Sequence, residues 1–370
     1  MFKNAGIIGL IILLLAGCAG VAADRSEVPA PIEEEPSEEA VAQPQPQKFR
    51  LIAVGDMMLT RGVGARIRRS SVHAPFDGVR HILETGDIVF GNLETTIATS
   101  GTQLPGKGIW FRAAPEVTEG LKEAGFDVLS LANNHTLDYD TPALIETVQN
   151  LQQAGIGYVG AGENLEQARR PLVVVKNGVR VGFLAYNEFY NYFWSYSYRR
   201  TFEATEDMAG TAPMKEELIR EDVEKLKDLC DVVVVSLHWG IENSNRITPA
   251  QQQLGHKIID WGADIVLGHH PHVLQGIEFY NDKLIVYSLG NFIFDQNGDN
   301  NNQSIILDIE LKDGEIIEVA VYPIQIHDKH QPRIPDDSKK ETILNRIEKL
   351  SEALGTSAQR EEQGTVLRGI

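Results

Sequence analysis

Five of the ten histidines, His135, His238, His269, His270 and His272, share with Asp56, Glu94 and Asn134 a telling position: each follows closely on the end of an apolar run. Imidazole, carboxylate and amide groups together suit a divalent ion of intermediate hardness, Mn²⁺, Fe²⁺ or Zn²⁺. Thiolate-bound structural zinc is not what this chain builds, since its only cysteines are Cys18 and Cys230. Taken singly, an Asp after a strand caps a turn and a lone His hydrogen-bonds in a core. Recurrence at five strand ends argues instead for one shared site, of a kind suited to chemistry.

The elements that must position these groups are legible as alternating apolar runs. Residues 49–54, 88–90, 128–131, 231–237 and 265–267 read as buried strands, and 115–124, 142–154, 214–229 and 249–261 as helices. Such alternation predicts a layered α/β fold, in which side chains at the carboxyl ends of parallel strands converge on one crevice. Further on, 273–279, 284–288, 304–311 and 316–322 read as an antiparallel meander, with Lys312-Asp313-Gly314-Glu315 as its last turn. Residues 326–370 read as a polar extension, weakly helical over 338–354. The folded domain is therefore expected over 49–325.

What precedes that domain has a different composition. Residues 1–17 carry one Lys and a short apolar stretch ending in Leu15-Ala16-Gly17-Cys18. This resembles the bacterial lipoprotein box, which implies cleavage before Cys18, lipidation of that cysteine and an extracytoplasmic, membrane-anchored protein. Residues 18–48 are acidic and Pro-rich with few large apolar side chains, the composition of a disordered tether. The whole chain has 52 acidic against 34 basic residues and a formal net charge of −18, which argues against nucleic acid as a partner.

The motifs themselves are recognisable. Gly55-Asp56, Gly91-Asn92-Leu93-Glu94, Asn133-Asn134-His135, His238-Trp239-Gly240, His270-Pro271-His272-Val273 and Ser288-Leu289-Gly290-Asn291-Phe292 occur in that order. The series resembles the CapA family of capsule or poly-γ-glutamate synthesis proteins, a branch of the calcineurin-like metallophosphoesterase superfamily. The resemblance implies a four-layer αββα sandwich of that superfamily's type. It also implies that Asp56, Glu94 and His272 serve one metal ion, and that Glu94, Asn134, His238 and His270 serve a second. His135, oriented by Asp138, is implied to protonate a leaving group or stabilise developing charge. The superfamily's Asp-x-His pattern is broken here, since the chain reads Asp56-Met57-Met58; one ion or two therefore remain open.

The implied role is a surface lipoprotein of the capsule or polyglutamate machinery, working with membrane-embedded synthesis proteins through a divalent-metal site that hydrolyses or transfers a polymer bond. Two other readings stay open: a metallophosphoesterase with an unrelated phosphoester substrate, and a non-catalytic assembly factor. An anionic polymer meeting so acidic a chain needs local positive charge. Arg61, Lys107, Arg112, Arg199 and Arg200 are the candidates, the last two ending an aromatic run, 189–198, that reads equally as a lid or as a packed loop.

Overall fold

The computed structural model describes residues 48–369; the expected signal peptide, Cys18 and nearly all of the tether lie outside them. Two large sheets dominate. In the first, strand Lys48–Met57 lies between Ile88–Leu93, its parallel neighbour, and Gln303–Lys312, its antiparallel one. Val128–Ser130 and Gly157–Val159 continue the parallel side. The second sheet runs Ile277–Tyr280, Lys283–Val286, Ile265–His269, Val232–His238, Val179–Asn187 and Leu172–Lys176, with its central strands parallel.

The strands 48–57 and 232–238 are buried almost residue for residue, because apolar layers cover both of their faces. One layer joins the sheets: Leu51, Ala53, Ile88 and Phe90 of the first pack with Val181, Phe183, Val232, Val234, Ile265 and Leu267 of the second. The Phe90 and Phe183 rings stack there at 5.7 Å. On the outer face of the first sheet lie helices Arg61–Arg69, Val117–Glu123 and Asp140–Gln153. Glu216–Leu226 and Pro249–Trp261 cover the outer face of the second. The helix–sheet–sheet–helix expectation accords with this arrangement. The last of these helices begins where the sequence says it should: Thr248 and Gln251 form a capping box around Pro249, and Gly262, at φ 119°, closes the end.

Two expectations need correcting. The four runs from 273 onward are not one meander but two hairpins in different sheets. Ile277–Tyr280 turns into Lys283–Val286 through Asn281 and Asp282, both at positive φ, and that second strand runs parallel to 265–269. Gln303–Lys312 and Glu315–His327 form the other hairpin, in the first sheet. Nor does the segment from 326 stand outside the domain. Helix Asp337–Glu352 sends Ile343 and Ile347 into the layer between the sheets, and Thr356–Arg360 with Thr365–Gly369 extends the first sheet.

Candidate metal centre

Two glycines bring the carboxyl edges of the sheets together. A Cβ on Gly55 would lie 1.9 Å from the Gly290 carbonyl oxygen, and one on Gly268 would lie 2.0 Å from that of Tyr287. Only glycine lets the segment 287–290 run against both Asp56 and His269. Asp56 N donates to Gly290 O at 3.0 Å and Leu289 N to Gly268 O at 3.1 Å. One short segment thus ties both sheets at the point where the polar residues emerge.

Asp56, fully buried, is the hub. Its Oδ1 accepts from Asn92 Nδ2 at 2.8 Å and its Oδ2 from the His270 amide at 3.2 Å. His269 and His272 each place Nδ1 3.3 Å from one of its oxygens. Burial alone would raise its pKa, but His269 and His272 hold it well below the usual carboxylate range. Asn133 donates to Asn92 Oδ1 at 3.1 Å and to Leu93 O at 2.9 Å, so three strand ends are laced together.

Glu94 is the contrast. It is fully buried, and neither carboxylate oxygen has a hydrogen-bond partner. His135 Nε2 lies 3.7 Å and His272 Nε2 3.8 Å from its Oε1. Burial, with Asp56 adding to it, pushes this carboxyl well above its ordinary range. A buried, orphaned carboxyl facing two imidazoles is poorly suited to an empty protein and well suited to a cation.

The other expected ligands meet at the same place. His238 Nε2 is 3.0 Å from Asn134 Oδ1 and 3.1 Å from His270 Nδ1. One ligand atom each from Asp56, Glu94 and His238 lie within 4.8 Å of one another, as do those of Glu242, His270 and His272. His270 and His272 both sit at positive φ, 95° and 57°, so the turn through Pro271 holds a strained backbone. His272 is further fixed by Asn291 Oδ1 at 2.9 Å. Burial works against a charged His272, yet Glu94 and Asp56 lift its pKa to about 9. Burial depresses His238 well below its ordinary value and His270 to about 3.

His135 and Asp138 stand beside this cluster. His135 Nδ1 lies 2.7 Å from Asp138 Oδ2, and its ring stacks on Phe111 with centroids 3.9 Å apart. Donation from Nδ1 to the carboxylate leaves Nε2 turned toward Glu94. Burial pushes His135 down to about 4 despite the pull of Asp138. Lys107 supports the pair from beneath: it is almost fully buried and donates to Asp138 Oδ1 and to the Asn134 carbonyl.

The cations expected to meet an anionic polymer are variously placed. Lys107 spends its charge inside the protein, as described. Arg200 is likewise turned inward, onto Asp140, Thr201 O and Ala209 O. Arg61 pairs with Asp295 and lies over Phe111. Arg112 stacks on Tyr139 at 3.9 Å, and Arg199 lies 5.7 Å from the Phe193 and Tyr196 rings. Neither of these two has a carboxylate partner among the described residues. Within the aromatic run, Phe189 sits 4.1 Å from the His270 ring, while Tyr192, Trp194, Tyr196 and Tyr198 are exposed.

Some supporting residues carried no assigned role in the sequence. Asn92, Asn133 and Asn291 lie within the motifs, and only their hydrogen bonds show what they do. Glu242, four residues past His238 in a polar loop, had no signal that could single it out.

Fold and site together define an α/β protein with a candidate divalent-metal centre. The chain belongs to the bacterial capsule synthesis protein family PGA_cap, whose profile matches residues 50–296. It is 31% identical to the capsule biosynthesis protein CapA of Bacillus anthracis, over 94% of this chain and 82% of that one. It is 33% identical to the PGA biosynthesis protein CapA of Bacillus subtilis strain 168, over 80% and 77%. A probable polyglutamine synthesis accessory protein of Mycobacterium tuberculosis is 29% identical over 73% of each chain. Among solved structures, a hypothetical protein from Thermus thermophilus aligns over 75% of this chain and all of its own, with 16% identity and a TM-score of 0.48.

Proposed function

We propose that the chain acts outside the cytoplasm, anchored by a lipidated Cys18, in the synthesis or export of poly-γ-glutamate or a similar anionic polymer, and that its metal centre hydrolyses or transfers a bond of that polymer. The Bacillus relatives, a capsule biosynthesis protein and a PGA biosynthesis protein, support the polymer. The orphaned, buried Glu94 carboxylate is the observation that carries the metal. Asp56, Glu94 and His272 would hold one ion, and Glu94, Asn134, His238 and His270 would hold a second if two are bound.

When bound, the cation supplies Lewis-acid polarisation of a carbonyl or phosphoryl oxygen and acidifies water. The chain's own part is then proton handling and positioning. His135, depressed to about 4, presents an unprotonated Nε2 at neutral pH, able to take a proton and return it to a leaving group. Asp138 fixes the tautomer, and Lys107 fixes Asp138. Phe189 packs against the His238 and His270 rings on one side.

The test is metal analysis of the purified protein with His270→Ala and His272→Ala, joined to polymer release from cells carrying each variant or His135→Ala. Bound divalent metal that the first two variants lose, and polymer release that all three abolish, is the expected result. A parent protein free of divalent metal, or polymer release unaffected by the variants, would remove the proposal.

A further inference from the structure

We propose that Glu242 is a further ligand of this centre, its carboxylate approaching both the His270 and the His272 rings and completing the sphere of an ion held by one of them; the inference rests on the reading that the cluster holds a cation. In the Asp56-Met57-Met58 segment, Met58 offers nothing to an ion. It is fully buried in the apolar layer outside the first sheet, and its sulfur takes the Thr60 amide at 3.3 Å.

Glu242 approaches from the opposite side. It follows strand Val232–His238, and one of its carboxylate oxygens lies within 4.8 Å of a ring nitrogen of each of His270 and His272. No hydrogen bond or ion pair claims that carboxylate among the described residues. Its neighbour Asn243 holds the loop in place: Asn243 N donates to Pro271 O at 2.8 Å, and its Oδ1 accepts from Asn301 Nδ2 at 2.7 Å. Asn301 Nδ2 also reaches His272 O at 3.3 Å, so the Glu242 loop and the histidine turn are hydrogen-bonded to each other and to a common residue.

An acid near two histidines could be no more than a counter-charge for a protonated ring. Glu94 argues otherwise, since both of its carboxylate oxygens are buried without a partner and Oε1 lies 3.8 Å from Nε2 of the same His272 ring. Two carboxylates approaching His272, one buried and one at the surface, surround a position that mixed oxygen and nitrogen donors fill with Mn²⁺ or Zn²⁺.

The experiment is calorimetric titration of Mn²⁺, and separately Zn²⁺, into the chelator-stripped full chain as parent, Glu242→Gln, Glu242→Asp and a Glu206→Gln control, with melting of each in chelator. A ligand role predicts that Glu242→Gln weakens one ion by at least about tenfold, that Glu242→Asp recovers part of the loss, and that the control matches the parent. Parent-like affinity and stoichiometry in Glu242→Gln would overturn the assignment. So would a variant that melts lower in chelator yet binds metal normally, because that is the behaviour of a counter-charge. A parent that binds no ion fails at the earlier step and takes both readings with it.

Discussion

Glu94→Gln is expected to make the metal-free protein more stable while removing its response to metal. In the parent, a carboxyl whose ordinary pKa is 4.5 is pushed well above that value by burial. Unfolding at neutral pH then releases a proton, so this residue's contribution to stability falls as pH rises above 4.5. At pH 7 the interval is 2.5 units, and at about 1.36 kcal/mol per unit the penalty has a ceiling of about 3 kcal/mol, reduced by the attraction of the protonated His272 ring. Gln keeps the shape and cannot ionise. In chelator at pH 7 the variant should therefore melt above the parent, by up to about 6 °C at about 2 °C per kcal/mol for a domain of this length. The gain should shrink toward zero near pH 4.5. Metal at a hundredfold excess over its dissociation constant adds about 2.7 kcal/mol to the parent and much less to the variant. Differential scanning calorimetry across pH, with chelator and with Mn²⁺ or Zn²⁺, reads all of these effects. A variant that melts several degrees lower in chelator, or whose advantage grows as pH falls, would show that Glu94 is stabilising in the empty protein and refute the reasoning.

Other outcomes follow from the same geometry. Asp138→Asn strips the counter-charge from Lys107, which is almost fully buried, and should cost about 3–5 kcal/mol in denaturant unfolding; a loss under 1 kcal/mol would mean that Lys107 finds another partner. The metal-free protein should be most stable near pH 6.5. His135, lowered to about 4, and His270, lowered to about 3, stay neutral in the fold while the unfolded chain takes up protons, so stability falls as pH drops below 6.5. His272, raised to about 9, gives the opposite slope, its contribution being lost as pH rises from 6.5 through 9. Melting in chelator that is flat from pH 5 to 9 would contradict both. Gly268→Ala places a methyl 2.0 Å from the Tyr287 carbonyl and should part the two sheet edges, lowering stability by at least about 2 kcal/mol and abolishing metal-induced stabilisation; parent-like melting with intact metal response would show that the close approach is dispensable.

The site was legible because of where it sits. Strands covered on both faces spell continuous apolar runs, so their ends, and the polar residues just beyond them, can be read directly from residues 49–54 or 231–237. The helix from Pro249 was equally plain, since Thr248, Gln251 and Gly262 mark its limits by local chemistry. Pairing was not legible. An apolar hairpin such as 277–286 has the same pattern in either sheet, and its assignment depends on contacts with residues far away in the chain. The strand hairpin 356–369 hid for another reason: its outward side chains, Gln359, Arg360 and Arg368, give it the composition of a polar tail. Lys107 and Arg200 looked like surface cations because charge alone does not report burial, and Asp138 and Asp140, their partners, lie 31 and 60 residues away.

The strand order also sets a timetable. Lys48–Met57, which carries Asp56, cannot take its place in the first sheet until Gln303–Lys312 is available to flank it. Most of the polypeptide must therefore be present before a cation finds its complete set of donors, and a chain truncated ahead of residue 303 should be both unfolded and unable to load metal.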